Sequence, residues 1–172
     1  MNEISLVNSL KVCIIGEPNT GKSTLINNLL DKKISITSRK AQTTISNKLG
    51  SLYYKNSQII FYDTPGIFNK NYKLKRSIFM QASNAINTSD LVLLLISVKQ
   101  NRQQNTKDII KHIIFHRKNF LILLNKIDLI TKDNLLKKVI DLSKVFNNKD
   151  IIPLSGLKKK GFSTLLNFII SN

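Results

Sequence analysis

Eight residues near the amino terminus, Gly16-Glu17-Pro18-Asn19-Thr20-Gly21-Lys22-Ser23, fit the pattern G-x-x-x-x-G-K-[ST]. Those residue types at that spacing make an anion cradle. Glycines let the main chain approach a phosphate, while successive N–H groups and a helix N-terminus face its charge. Lys22 is the cation that reaches the outer phosphates, and the Ser23 hydroxyl is a ligand for Mg2+, with Thr24 next in the helix. The plain alternative is a Gly-rich strand-to-helix turn without a ligand. The apolar strand before it and the helical pattern after it weigh against that.

Three further clusters follow in the chain. Asp63-Thr64-Pro65-Gly66 ends an apolar run; Asp63 can hold Mg2+ through water, and the Gly66 N–H can approach a γ-phosphate. Alone, it reads equally as a D-x-P-G turn. Asn125-Lys126-Ile127-Asp128 ends another apolar run. The Asp128 carboxylate can accept from guanine N1–H and the 2-amino group, Asn125 would meet the other edge of the base, and the Lys126 stem would cover its face. Adenine offers neither donor, so an unpaired carboxylate would disfavour it by about a hundredfold. Ser155-Gly156, within "PLSGLKKKG", is placed as the second half of the base pocket by position, with a backbone N–H of Gly156 reaching guanine O6. Together the clusters point to GTP and GDP with Mg2+.

The elements that must hold these loops alternate. "LKVCII" at residues 10–15 is a buried strand, followed by a helix with Leu25, Ile26, Leu29 and Leu30 at helical spacing. "SNKLGSLYYK" and "SQIIFYD" form an antiparallel hairpin through a Lys55-Asn56-Ser57 turn. Residues 73–87 read as an amphipathic helix. "LVLLLISV" and "NFLILLN" are strands buried on both faces, and "DIIPLS" is a short last strand. Helices are expected at 106–117, 134–146 and 161–170, the last with Phe162, Leu165, Leu166, Ile169 and Ile170 inward. The expected fold is a three-layer α/β domain of the P-loop NTPase, small G-protein-like kind. Its sheet has six mostly parallel strands with one antiparallel hairpin strand, and helices on both faces.

The 172 residues are 42% hydrophobic, enough for one domain with a real core, and carry a formal net charge of +17. Nucleic acid or an anionic membrane surface is a plausible partner, against the alternative of lysines spread over a solvated surface. A single cysteine, Cys13, excludes a disulfide framework and reads as a small core residue. No apolar run approaches the ~18 residues needed to span a bilayer, and residues 1–10 lack the pattern of a signal peptide.

Residues 33–44, "KISITSRKAQTT", give the most specific signal. With "GEPNTGKSTLINNLL", "IIFYDTPGI", "LLNKIDLI" and "IIPLSG" in order and spacing, the chain resembles the Era GTPases from about residue 10 to 170. The resemblance implies hydrolysis of GTP to GDP and phosphate. It makes Thr44, or else Thr43, the switch threonine that closes over Mg2+ and the γ-phosphate, and 32–44 and 66–72 the switch loops. Ile67 stands where many small GTPases carry a catalytic glutamine, which implies the subclass with a hydrophobic residue there. Asn19 falls where related GTPases coordinate K+, against the alternative of a loop-shaping asparagine; Lys22, Thr44, Gly66 and Asn19 are then the catalytic set. Members usually carry a basic residue after the threonine pair, and this chain has Ile45.

The family's task implies small (30S) ribosomal subunit assembly, with 16S rRNA as partner, in a monomeric cytoplasmic protein that can touch the inner face of the cell membrane peripherally. Era proteins join their GTPase domain to an RNA-binding KH domain; residues 1–172 are read as the GTPase domain with the KH domain absent. The rival readings are a related GTPase of tRNA modification and a truncated nucleotide-binding remnant without useful turnover.

Overall fold

The structure is a computed structural model that describes residues 8–31, 48–63, 83–100, 104–147 and 149–171. Its strands are β1 (Asn8–Gly16), β2 (Lys48–Tyr54), β3 (Ser57–Asp63), β4 (Leu91–Ser97), β5 (Phe120–Asn125) and β6 (Ile151–Pro153). The helices are α1 (Lys22–Leu30), α2 (Gln104–Phe115), α3 (Lys132–Val145) and α4 (Phe162–Ser171), with a 3-10 turn at Ile127–Leu129. Residues 83–88 are also helical.

The sheet order is β2-β3-β1-β4-β5-β6. Strands β3, β1, β4, β5 and β6 run parallel, and β2 pairs antiparallel with β3. The expected architecture is therefore the observed one. Its cause is visible in the alternation of side chains. Val12 and Ile14 with Leu91, Leu93 and Leu95 face one core, closed by Leu25, Ile26 and Leu29 of α1 and by Phe162, Leu165, Leu166 and Ile169 of α4. Cys13 and Ile15 with Val92, Leu94 and Ile96 face a second core, closed by Ile109, Ile110 and Ile113 of α2 and Leu142 of α3. A strand apolar at every position is thus explained by helices on both faces. Cys13 is wholly buried, as expected.

Some boundaries differ. Helix α2 starts before Thr106 and ends at Phe115, and α3 begins at Lys132, because the Thr131 hydroxyl caps it by accepting from the Asn134 N–H. The hairpin turn is the pair Lys55-Asn56, with Ser57 already in β3. Ile170 is only partly buried. Of the helix expected over 73–87, residues 73–82 lie outside the described residues. Among the described residues, no helix is long and apolar enough to cross a membrane.

Candidate functional site

Parallel strands bring their carboxyl ends to one edge of the sheet. Asp63 stands in register with Ile14, Gly16 with Leu95 and Ser97 with Asn125, so the connections after β3, β1, β4 and β5 leave side by side. Gly16 packs so tightly against β4 that a Cβ there would sit 2.5 Å from the Leu95 carbonyl oxygen. From it the chain turns through Asn19 (φ 62°) and Gly21 (φ 98°) into α1. A left-handed residue at Gly21 suits glycine, and a Cβ would also meet Asn125 Nδ2 at 2.5 Å.

The loop is set by its own polar groups. The Glu17 carbonyl accepts from the Thr20 hydroxyl at 2.8 Å and from Lys22 Nζ at 2.9 Å, and Lys22 Nζ also donates to the Gly16 carbonyl at 2.7 Å. The ammonium group is therefore held across the loop. Pro18, Asn19, Ser23 and Thr24 are exposed, with Ser23 and Thr24 in the first turn of α1.

Asn125 joins this loop to two others. Its Nδ2 donates to the Thr20 carbonyl at 2.8 Å; its Oδ1 accepts from the N–H of Lys126 at 2.8 Å and of Gly156 at 2.9 Å. Lys126, in a left-handed conformation, spans back to donate from Nζ to the Asn19 carbonyl at 2.6 Å. Asp128 is exposed in the 3-10 turn and accepts from the hydroxyl of Ser155, which is wholly buried and in turn accepts from the Lys158 N–H at 3.0 Å.

One expectation is corrected here, and a second residue does more than the sequence suggests. Gly156 does not hold its N–H free for a base, because that donor is used by Asn125; the glycine is there because a Cβ would press on the Leu25 backbone at 3.2 Å. Asn125 is chiefly a clasp, 2% exposed, although its amide keeps a second hydrogen beyond the one given to Thr20. Sequence reasoning missed Asn28, whose Nδ2 donates to the Gly156 carbonyl at 2.7 Å, and the Gln100–Thr106 pair, which holds the Glu17 carboxylate. No spacing rule points to them, since each partner is 83 or more residues distant.

Asp63 is placed by its backbone alone. Thr43, Thr44, Thr64, Pro65, Gly66 and Ile67 lie outside the described residues, as do the two switch loops. Ser23, Asp63 and Thr44, the set expected from the sequence, would offer only oxygen donors, which would suit a hard cation such as Mg2+. What the edge offers chemically is an anion cradle beside a fixed carboxylate, the two loops bound to each other.

A family model described as "50S ribosome-binding GTPase" matches residues 11–126. A GTPase Era from Ruminiclostridium cellulolyticum is 39% identical over 155 residues, covering 90% of this chain and 52% of the relative. The GTPase Era of Rickettsia akari is 37% identical, covering 94% of this chain and 55% of its own length. The chain thus spans about half the length of the curated relatives it matches. Among solved structures, an Aquifex aeolicus Era variant bound to GDP and AlF4− superposes with a TM-score of 0.79 at 33% identity, over 96% of this chain and 57% of that one. Era in complex with MgGDPNP and nucleotides 1506–1542 of 16S ribosomal RNA gives the same TM-score, 0.79, at 34% identity, with the same coverage.

Proposed function

The chain belongs to the 50S ribosome-binding GTPase family, and on that premise we propose that it binds GTP and GDP with Mg2+ and hydrolyses GTP to GDP and phosphate in the manner of Era. The observation that carries the reading is the direct tie between the two loops, from Asn125 Nδ2 to the Thr20 carbonyl and from Lys126 Nζ to the Asn19 carbonyl. A phosphate cradle fastened to a base-reading loop is what a nucleoside di- or triphosphate needs.

In this reading the loop from Gly16 to Ser23 receives the β- and γ-phosphates, and Lys22 exchanges its two carbonyl partners for phosphate oxygens. Ser23 and Thr44, with Asp63 through water, would hold Mg2+, which would neutralise charge on the phosphates when bound. Asp128, oriented by Ser155, reads the guanine N1–H and 2-amino group. Gly156 spends its N–H on Asn125, so a contact to guanine O6 would need another donor of this loop. The second amide hydrogen of Asn125 serves the far edge of the base.

Phosphoryl transfer asks for positioning and charge stabilisation more than for a protein base, so Ile67 in place of glutamine is compatible with turnover. The Gly66 N–H would approach the γ-phosphate, and Asn19 would supply a ligand for K+. Single-turnover hydrolysis in K+ and Na+ buffers tests the ion; equal rates remove it. Titration with GDP and ADP tests the site, with GDP expected to bind about a hundredfold more tightly. Binding of GTP without phosphate release would instead favour the remnant.

The biological reading is small-subunit assembly by one GTPase domain over residues 1–172, a cytoplasmic monomer whose +17 charge suits RNA and peripheral contact with an anionic membrane. It is supported by the 16S ribosomal RNA bound to the structural relative Era. The matching family's description names the 50S particle, which gives a second reading a specific basis. Cosedimentation with purified 30S and 50S subunits in GTP separates them.

A further inference from the structure

Glu17 reaches away from the loop it belongs to. Its Oε1 accepts from Gln100 Nε2, in the connection after β4, and from the Thr106 hydroxyl in the first turn of α2 at 3.1 Å. Gln100 Nε2 also donates to Thr106 Oγ1 at 3.1 Å, so the three side chains close on one another. The anchor is itself fixed. Thr106 is 3% exposed, the Gln100 N–H donates to the Ser97 carbonyl at 2.9 Å, and the Gln100 carbonyl accepts from Lys138 Nζ of α3 at 3.1 Å.

The main chain of the same residue does the opposite job, facing inward. The Glu17 carbonyl is the acceptor that both the Thr20 hydroxyl and Lys22 Nζ use. Rotating this residue would swing that carbonyl away, releasing the loop's turn and its lysine together; the anchored carboxylate resists the rotation. The same anchor turns a negative charge toward donors on a neighbouring element. In an anion-binding loop, a carboxylate left to swing would oppose phosphates.

We propose that Glu17 is a positioning residue for the phosphate-binding loop, acting through Gln100 and Thr106. The proposal rests on the reading that this loop takes nucleotide phosphates. The Glu17 side chain does not itself contact them. It sets the carbonyl that holds Lys22 and keeps its own charge turned aside, so its loss is felt in phosphate affinity and leaves base selectivity alone.

The test titrates the full chain with GDP and with IDP, which lacks the 2-amino group, in the presence of Mg2+. A wild-type chain that binds neither overturns the nucleotide reading itself and is thereby told apart from failure of this proposal. Glu17→Ala and Thr106→Val are each expected to weaken GDP about tenfold, as loss of hydrogen bonds to a carboxylate implies. The double variant is expected to be no weaker than Glu17→Ala alone. Glu17→Gln, which keeps an acceptor oxygen for both partners, restores binding to within about threefold of wild type, and the GDP-to-IDP ratio stays constant throughout. Gln100→Ala replaces Glu17→Ala if the latter does not fold, with the same expected loss. GDP affinity within twofold of wild type, losses that multiply in the double variant, no recovery in Glu17→Gln, or a changed GDP-to-IDP ratio would overturn the proposal.

Discussion

Replacing Asn125 with alanine removes the clasp while leaving the fold's cores untouched, and its cost follows from three hydrogen bonds. The side chain satisfies the Thr20 carbonyl and the N–H groups of Lys126 and Gly156 at 2.8, 2.8 and 2.9 Å. Lys126 is half-buried and can turn to water, whereas Thr20 and Gly156 are buried. Two orphaned buried groups at about 1–3 kcal/mol each, partly relieved by a water entering the space, give a loss of about 3 kcal/mol. For a chain of this size that is a fall of about 6–12 °C in melting temperature. With the Asn125 bonds gone and the Lys126 Nζ–Asn19 bond left between the loops, more of their ordering falls to the ligand, so GDP affinity falls by about tenfold. Asn125→Asp keeps the acceptor for Lys126 and Gly156 but sets an oxygen against the Thr20 carbonyl, and is expected to be no better than alanine. Thermal unfolding without nucleotide and a GDP titration read both effects. An alanine variant that melts within 2 °C of wild type would refute the reasoning, since the three bonds would then be idle; that threshold is below the effect of about 1 kcal/mol.

Gly21→Ala adds a methyl to a residue at φ 98°, 2.5 Å from Asn125 Nδ2, so strain of about 1–2 kcal/mol is joined by displacement of the clasp. Nucleotide affinity should fall more than tenfold, read by the same titration, with a melting temperature a few degrees lower. Ser155→Ala frees the Asp128 carboxylate to rotate; the GDP-to-IDP affinity ratio should drop about three- to tenfold. His112 is held below the usual 6.5 by burial first and by the neighbouring His116 charge second, with Ser83 Oγ 3.1 Å from its Nε2. A histidine whose folded value is depressed contributes stability that is complete above the unfolded value and lost as pH falls through the folded one. Melting temperature should therefore decline as pH falls from 7 toward 5, and less steeply in His112→Gln.

The layers of the fold were legible because they rest on local periodicity. The unbroken apolar runs of β4 and β5 require cover on both faces, and α1 and α4 supply it on one, α2 and α3 on the other. The placement of Gly16, Lys22 and Asp128 at the carboxyl edge of the sheet was legible for another reason: it follows from their position just after an apolar strand. Boundaries such as the start of α3 were off by two residues because a capping hydroxyl, Thr131, sets them. Least legible were Asn28, Gln100 and Thr106. Their types are ordinary in loops and helices, and only the folded chain brings them to Gly156 and Glu17.

The same long-range bonds change how the familiar motif residues are to be interrogated. Asn125 and Gly156 read from the sequence as two contacts to a base, yet they bond each other, and Ser155 supports Asp128. Substitution at Asn125 or Ser155 therefore disturbs a neighbour that shapes the base-reading loops, and such losses will not add. A fall in GDP affinity at Asn125 would measure the whole clasp, never a single contact to guanine. Changing the nucleotide escapes this, because IDP removes one donor from the ligand and leaves every protein bond in place. The GDP-to-IDP ratio thus reports Asp128 alone, and it should vary with Ser155, which touches that carboxylate, while staying fixed with Glu17, which braces the other loop from the far side.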